Sequence, residues 1–121
     1  MTAREIKQIN KEIAKLRSKI IRLESEAFKI TPTLSESPGN GNDISDKVGN
    51  AVAEIADIKR EIQNLEILRN SALNRLSREK FEENCLFMRL SLHYSWRKIA
   101  MQIGGNNTPD SIRKMCERYS W

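Results

Sequence analysis

The 121-residue sequence predicts an all-α protein, in which a long antiparallel helical hairpin (a coiled coil) is followed by a three-helix domain of helix-turn-helix type. Two long stretches carry apolar residues alternately three and four positions apart, which is the spacing of a coiled coil. A segment rich in proline, glycine and serine separates these stretches at about residues 31–43. Near the C-terminus, two short amphipathic stretches with capping residues flank a glycine-containing turn. We therefore expect a hairpin over residues 1–76 and a second domain over residues 77–121.

The first helix is predicted over residues 3–30. At 1.5 Å per residue, its length would be about 40 Å. Its apolar seam consists of Ile6, Ile9, Ile13, Leu16, Ile20, Leu23, Ala27 and Ile30. Charged and polar residues lie between the seam positions. Because so narrow an apolar stripe does not stabilise an isolated helix, this helix needs a partner.

The second helix is predicted from Ile44 to about Leu76, after a flexible loop at about residues 31–43 in which the chain reverses. Asp43 or Ser45 is expected to cap this helix. Its apolar seam consists of Val48, Ala51, Ile55, Ile58, Ile62 and Leu65, continued by Leu68, Ala72, Leu73 and Leu76. Because two seams leave apolar edges exposed, we expect a homodimer or higher homo-oligomer through the long helices. A monomeric hairpin packed on the C-terminal helices is the alternative.

A third helix is predicted to begin with Ser77 as its cap and to run to about Leu92. Its apolar face would consist of Phe81, Cys85, Met88 and Leu92, with Leu86 and Leu90 beside it. This face would form the third wall of a small core, which two further short helices complete.

The fourth helix is predicted to begin after Ser95, whose hydroxyl can accept a hydrogen bond from a free backbone N–H. Gly104 is expected to end it, since a left-handed conformation costs glycine little. Thr108 would cap the fifth helix, with Pro109 at its first position. The apolar faces of the two helices are Trp96, Ile99, Ala100 and Ile103, and then Ile112, Met115, Cys116 and Tyr119. The opposite face of the fifth helix carries Asp110, Ser111, Arg113, Lys114, Glu117 and Arg118.

The net charge of +5 is concentrated near the C-terminus, where residues 84–121 carry +4 and residues 1–83 carry +1. A basic excess on one domain is the electrostatic signature of a nucleic-acid-binding protein, although a mildly basic solvated face is also common. No stretch approaches the roughly 18 apolar residues of a membrane span. The charged N-terminus does not resemble a signal peptide, so we expect a cytoplasmic protein without membrane contact.

The sequence predicts neither an enzyme nor a metal or cofactor site. It contains no glycine-rich phosphate loop, no clustered carboxylates and no nucleophile with an evident base. His93 is the only histidine. Cys85 and Cys116 both fall on apolar faces, so we interpret them as reduced core residues.

The C-terminal half resembles small phage-encoded transcription regulators with a C-terminal helix-turn-helix similar to the promoter-reading motif of bacterial sigma factors. The segments MRLSLHYSWRKIAMQIGG and NTPDSIRKMCERY carry the resemblance. The first half resembles the same family more loosely, through its heptad helix, its Ser/Pro/Gly loop and SDKVGNAVAEIADIKREI. The resemblance implies DNA binding near phage promoters in a bacterial host cell, and contact with host RNA polymerase.

The first functional hypothesis is therefore a sequence-specific DNA-binding transcription regulator of phage or prophage type, with double-stranded DNA as its partner. The fifth helix would enter the major groove with its N-terminal residues at base edges. The predicted base-edge residues are Asn107, Thr108, Ser111, Arg113 and Lys114, and the predicted phosphate contacts are Arg97, Lys98 and Arg118.

Two other hypotheses stay open at this point. The chain could be a phage-encoded protein-interaction module that binds or inhibits a host nucleic-acid enzyme, with the hairpin as its working part. It could also be a DNA-packaging recognition subunit, a class that likewise combines oligomerising helices with a helix-turn-helix. The target sequence and the direction of regulation do not follow from the residues.

Overall fold

The structure is a computed structural model, and it describes residues 1–28 and 41–121. Over these residues the protein is all-α, as predicted, and it contains no β-strand. The only strand-like pairing in this part of the chain is a single antiparallel bridge between Thr2 and Ser120. The five helices are α1 (Ala3–Phe28), α2 (Gly41–Asn74), α3 (Phe81–Leu90), α4 (Trp96–Ile103) and α5 (Pro109–Arg118).

The chain divides into two compact units, one made of Lys11–Glu66 and the other of Met1–Asn10 with Ile67–Trp121. The predicted domain of residues 77–121 lies wholly in the second unit. That unit also contains the first turns of α1 and the end of α2, which were predicted to belong to the hairpin.

In the unit formed by Lys11–Glu66, two ion pairs connect α1 to α2. Arg17 Nη2 lies 2.6 Å from Glu66 Oε1, and Lys19 Nζ lies 3.6 Å from Glu54 Oε1. The buried side chains of this unit are seam residues of both helices, namely Ile13, Leu16, Ile20, Ile55, Ile58 and Ile62. The heptad spacing therefore identified the buried face of each helix here.

The start of α2 and the end of its seam differ from the prediction. The structure describes α2 from Gly41 onward, and both the side chains of the predicted caps Asp43 and Ser45 and most of the predicted loop lie outside what it describes. Leu68, a predicted seam residue, is 50% exposed, whereas Ala72 is buried. Ala72 lies seven positions after Leu65, which is one heptad. In a regular heptad the seam position between these two residues is residue 69, so Leu68 lies beside the seam.

The unit that contains the C-terminal helices has one apolar core, to which α3, α4 and α5 all contribute. Its buried residues are Leu76, Cys85, Leu86, Met88, Ile99, Ile112 and Cys116. Both cysteines are free and fully buried, in agreement with their interpretation as core residues. Burial raises the pKa of the Cys116 thiol to about 12, because the apolar surroundings disfavour the thiolate.

Helix α3 begins three residues later than its predicted N-terminal turn, and the predicted Ser77 cap is wrong. Its N-cap is Lys80, which makes no side-chain capping hydrogen bond. Phe81 is 43% exposed and Leu92 lies beyond the helix, whereas Leu86 is fully buried. In this orientation the helix turns the carboxylate of Glu83 inward, where that group has hydrogen-bond partners.

The two ends of the described chain are joined beside this core. The backbone N–H of Trp121 donates to the Met1 carbonyl at 2.8 Å, next to the bridge between Thr2 and Ser120. The Trp121 indole N–H donates to the Ala72 carbonyl at 2.8 Å, and its ring packs on the core. These contacts hold the first turns of α1 beside the C-terminal residues.

Candidate nucleic-acid interface

The turn between α4 and α5 forms where the local sequence predicted it. The Ser95 hydroxyl accepts from the Lys98 N–H at 3.1 Å and caps α4. Gly104 and Gly105 both have positive φ, at 70° and 71°, which is the left-handed region that favours glycine. The Asn107 amide then donates to the Gly104 carbonyl at 3.2 Å and closes the turn. Both glycines are therefore required by the backbone path.

Helix α5 starts with a reciprocal capping box between Thr108 and Ser111. The Thr108 hydroxyl accepts from the Ser111 N–H at 3.1 Å, and the Ser111 hydroxyl accepts from the Thr108 N–H at 3.2 Å. Pro109 occupies the first turn, where its missing N–H leaves no intrahelical bond unmade. Two of the predicted base-edge residues thus also hold the start of the helix. Their role toward DNA stays a prediction.

The buried side of α5 fixes which side faces outward. Ile112 and Cys116 are fully buried, whereas Asp110, Lys114 and Arg118 are exposed. Residues 110, 114 and 118 are four positions apart, so they form one solvent-facing row along the helix.

Ion pairs link the charged residues of α5 into a chain. Arg113 Nη2 lies 2.6 Å from Asp110 Oδ1, and Arg113 Nη1 lies 3.3 Å from Glu117 Oε1. Lys114 Nζ lies 3.2 Å from Asp110 Oδ2. The hydrogen bond from Arg113, followed by that from Lys114, lowers the pKa of Asp110, so this carboxylate stays ionised. Since exposed ion pairs exchange readily for other partners, Arg113 and Lys114 remain accessible to an anionic ligand.

The three predicted phosphate-contacting residues are all exposed. Arg97 and Arg118 form no ion pair with any residue in 1–28 or 41–121. The Lys98 ammonium lies 4.0 Å from the centroid of the Tyr94 ring, a cation–π contact that keeps the charge at the surface. Arg97 and Lys98 stand in the first turn of α4, and Arg118 stands in the last turn of α5. The cations therefore lie at both ends of this two-helix segment.

Glu83 is a buried carboxylate that the sequence analysis missed. It accepts from the Tyr119 hydroxyl at 2.7 Å and from the Ser77 N–H at 3.1 Å, and Lys80 Nζ lies 3.5 Å away. The Tyr119 hydrogen bond and then that of Ser77 lower the pKa of this carboxyl, whereas the same Tyr119 contact raises the pKa of the phenol. Glu83 thereby connects the residue that follows α5 to the start of α3.

A second surface that the sequence analysis missed is a groove of about 570 Å³ along the Arg113 edge of α5. Its charged lining residues are Arg4, Lys7, Arg89, Arg113 and Glu117. Arg4 and Lys7 come from the first turns of α1, more than 80 residues away in sequence from α4. No local pattern in the sequence could have placed these two residues beside α5.

The described residues offer no metal site and no membrane span. Within residues 1–28 and 41–121, no three side chains of His, Cys, Asp or Glu are grouped closely enough to hold a metal ion. None of the helices in the same ranges is long and apolar enough to cross a bilayer.

Comparison of the chain with models of known protein families, with curated proteins and with solved structures found no match.

Proposed function

We propose that this protein binds double-stranded DNA and regulates transcription as a sequence-specific regulator of phage or prophage type in the cytoplasm of a bacterial host. In this proposal α4 and α5 form a helix-turn-helix, and α5 enters the major groove. The observation that carries the proposal is the outward-facing row on α5 with exposed cations at both ends of the α4–α5 segment. A capped, buried and rigid support beneath that row is what a base-reading helix needs.

The charged residues of α5 and α4 would contact different groups of the DNA. Lys114 lies at the centre of the exposed row, where it can reach a guanine edge or a phosphate. Arg113 can exchange Asp110 for the O6 and N7 atoms of guanine, a bidentate contact that suits its planar guanidinium. Asp110 can then accept from the amino group of a cytosine. Arg97, Lys98 and Arg118 would contact phosphates, which sets the position of the protein more than its sequence preference.

We further propose that α1 and α2 form an antiparallel hairpin that mediates homodimerisation or higher assembly. Six seam side chains of Lys11–Glu66 are already buried in one chain, but Ile21 and Val52 remain 67% and 55% exposed. A second copy that covers these side chains would bring two α5 helices to one DNA site, which is how dimeric regulators read paired half-sites. Light scattering of the purified protein tests this, and a monomer at micromolar concentration would contradict it.

One observation favours a protein-interaction role as the alternative function. Arg113 and Lys114 are already paired with Asp110 and Glu117, so the exposed face of α5 carries little net charge. A face with charges of both signs and little net charge is also suited to a protein surface with the complementary pattern. Such a surface could belong to host RNA polymerase, another host nucleic-acid enzyme or a DNA-packaging motor. Pull-down of such a partner by a protein that binds no DNA would favour this alternative.

The experiment that tests DNA binding is selection of bound duplexes from a random pool, followed by fluorescence anisotropy on the selected sequence. We expect Arg113→Ala to reduce discrimination at one or two base pairs, because it removes a bidentate base contact. We expect Lys98→Ala to weaken binding to all sequences equally, because a phosphate contact carries no sequence information. Failure of the wild-type protein to bind any duplex at low salt would refute the proposed function.

A further inference from the structure

The groove beside Arg113 carries more positive than negative charge. Four of its lining side chains are cationic (Arg4, Lys7, Arg89 and Arg113), and one, Glu117, is a carboxylate. Glu117 is already paired with Arg113 at 3.3 Å. Three cations in one groove therefore lack a carboxylate partner in the part of the chain that the structure describes, which is an arrangement that attracts an anion.

The cations of this groove are held in different ways. Arg89 donates to the Tyr94 carbonyl at 3.0 Å, and its guanidinium lies 4.6 Å from the centroid of the Trp96 ring. Both contacts fix its orientation and leave its charge in place. Arg4 and Lys7 are exposed and form no ion pair with residues 1–28 or 41–121. These two are the side chains best able to reach a ligand outside the groove.

The backbone that carries Arg4 and Lys7 is tied to the C-terminal end of the chain. Thr2 pairs with Ser120, and the carbonyl of Met1 accepts from the Trp121 N–H at 2.8 Å. About two turns further on, Asn10 accepts from Arg69 Nη1 at 2.9 Å. The first turns of α1 are thus fixed on both sides, so Arg4 and Lys7 occupy a defined place beside α5.

We propose that this groove binds the sugar–phosphate backbone of the DNA whose bases α5 contacts, with Arg4 and Lys7 as phosphate ligands; this inference rests on the proposed function. The major groove is about 12 Å wide, and a helix with its side chains is about 10–12 Å across. Phosphates therefore flank a helix that lies in the groove. Arg113 lines the basic groove and belongs to α5, so the backbone strand on that side of the helix passes over Arg4 and Lys7.

The test is the salt dependence of DNA binding by the full chain, measured by anisotropy on one labelled duplex. The variant is Arg4→Gln with Lys7→Gln, which removes two charges and keeps helix-favouring side chains. Each lost phosphate contact lowers the slope of log K against log salt by about 0.9, so the slope should fall by about 1.8. The affinity near 0.1 M salt should fall roughly 10- to 60-fold, and the difference should shrink as salt rises.

Two matched variants separate this proposal from a general effect of charge. Lys11→Gln with Lys15→Gln removes the same charge from exposed positions of the same helix that do not line the groove. This control should keep most of the wild-type slope. Exchanging the two cations, as Arg4→Lys with Lys7→Arg, should retain the slope, since both groups still neutralise phosphate. Equal losses in the control and the groove variant would overturn the proposal.

Further outcomes distinguish this inference from the proposed function. If the groove variant keeps the wild-type slope while Lys114→Gln weakens binding, α5 contacts DNA and the groove does not. If the wild-type protein binds no DNA at low salt, both proposals fail together. If the groove variant binds DNA normally but loses binding to an acidic polyglutamate peptide, the groove takes an acidic protein segment instead.

Discussion

The two carboxylates of α5 are expected to restrain DNA binding, and removing their charge should therefore strengthen it. Asp110 contacts both Arg113, at 2.6 Å, and Lys114, at 3.2 Å, and Glu117 contacts Arg113 at 3.3 Å. The double substitution Asp110→Asn with Glu117→Gln removes every carboxylate partner that these two cations have in the described chain. It keeps the size of both side chains, and it raises the net charge of the protein by two.

The size of the gain in affinity follows from the number of side-chain cations that lose their carboxylate partners. If Arg113 and Lys114 each gain one phosphate contact, the slope of log K against log salt should steepen by about 1.8. Affinity for a duplex of unrelated sequence near 0.1 M salt should then rise by up to about 60-fold. Affinity for the selected sequence should rise less, because Asp110 also acts as a base acceptor in the proposed binding mode. The ratio of specific to non-specific affinity should therefore fall.

The assay is competitive anisotropy with a selected and an unrelated duplex over a range of salt concentrations. The matched control is Asp57→Asn with Glu61→Gln, two exposed carboxylates of α2 that form no ion pair within residues 1–28 and 41–121. It raises the net charge by the same amount. Equal slopes in the α5 variant and the wild type would refute the reasoning, as would an equal gain in the control.

Three further predictions concern stability and reactivity. Thr108→Ala should lower the free energy of unfolding by about 1 kcal/mol in urea denaturation, since it removes the hydroxyl that accepts from Ser111; an unchanged value would contradict the role of the cap. The pKa of Glu83 is lower in the folded state than in the unfolded state, where it is near 4.5. Its contribution to stability is therefore present above pH 4.5 and is lost as the pH falls through the pKa of the folded state. Melting temperatures should therefore fall more steeply below about pH 4.5 in the wild type than in Glu83→Gln, and parallel curves would argue against the effect. Cys116, with a pKa of about 12 and no exposed surface, should react with a thiol reagent at pH 8 only after unfolding, whereas rapid labelling of the native protein would show that this part of the core opens.

Local sequence signals were sufficient where the structure depends on neighbouring residues. The seam of α1 and the caps at Ser95 and Thr108 could be predicted because apolar spacing and hydroxyl capping act over a few residues. The positive φ angles of Gly104 and Gly105 belong to the same class. These signals were enough to place α4, the turn and α5.

The same signals failed where a distant partner decides the outcome. Ser77 has the side chain of a helix cap, but its N–H instead donates to Glu83, which Tyr119 also contacts from the far end of α5. Propensity alone cannot indicate that a glutamate on α3 will turn inward, because the partner that compensates its burial is 36 residues away. Arg4 and Lys7 were overlooked for the same reason, since contacts between residues far apart in sequence, such as the pairing of Thr2 with Ser120, bring them beside α5.

In the proposed binding mode, the distribution of charge on this surface separates affinity from discrimination. Four cations lie around the exposed row of α5, namely Arg97 and Lys98 on α4 and Arg4 and Lys7 on α1, and none of them has a carboxylate partner in the described chain. Counter-ion release by these residues would supply affinity for any duplex. The exposed face of α5 combines its cations with the carboxylates of Asp110 and Glu117, so it gains less from phosphate and depends on base contacts that match both kinds of charge. A mismatched sequence would leave Asp110 or Glu117 facing an acceptor, and that repulsion would favour the correct site over the many incorrect ones.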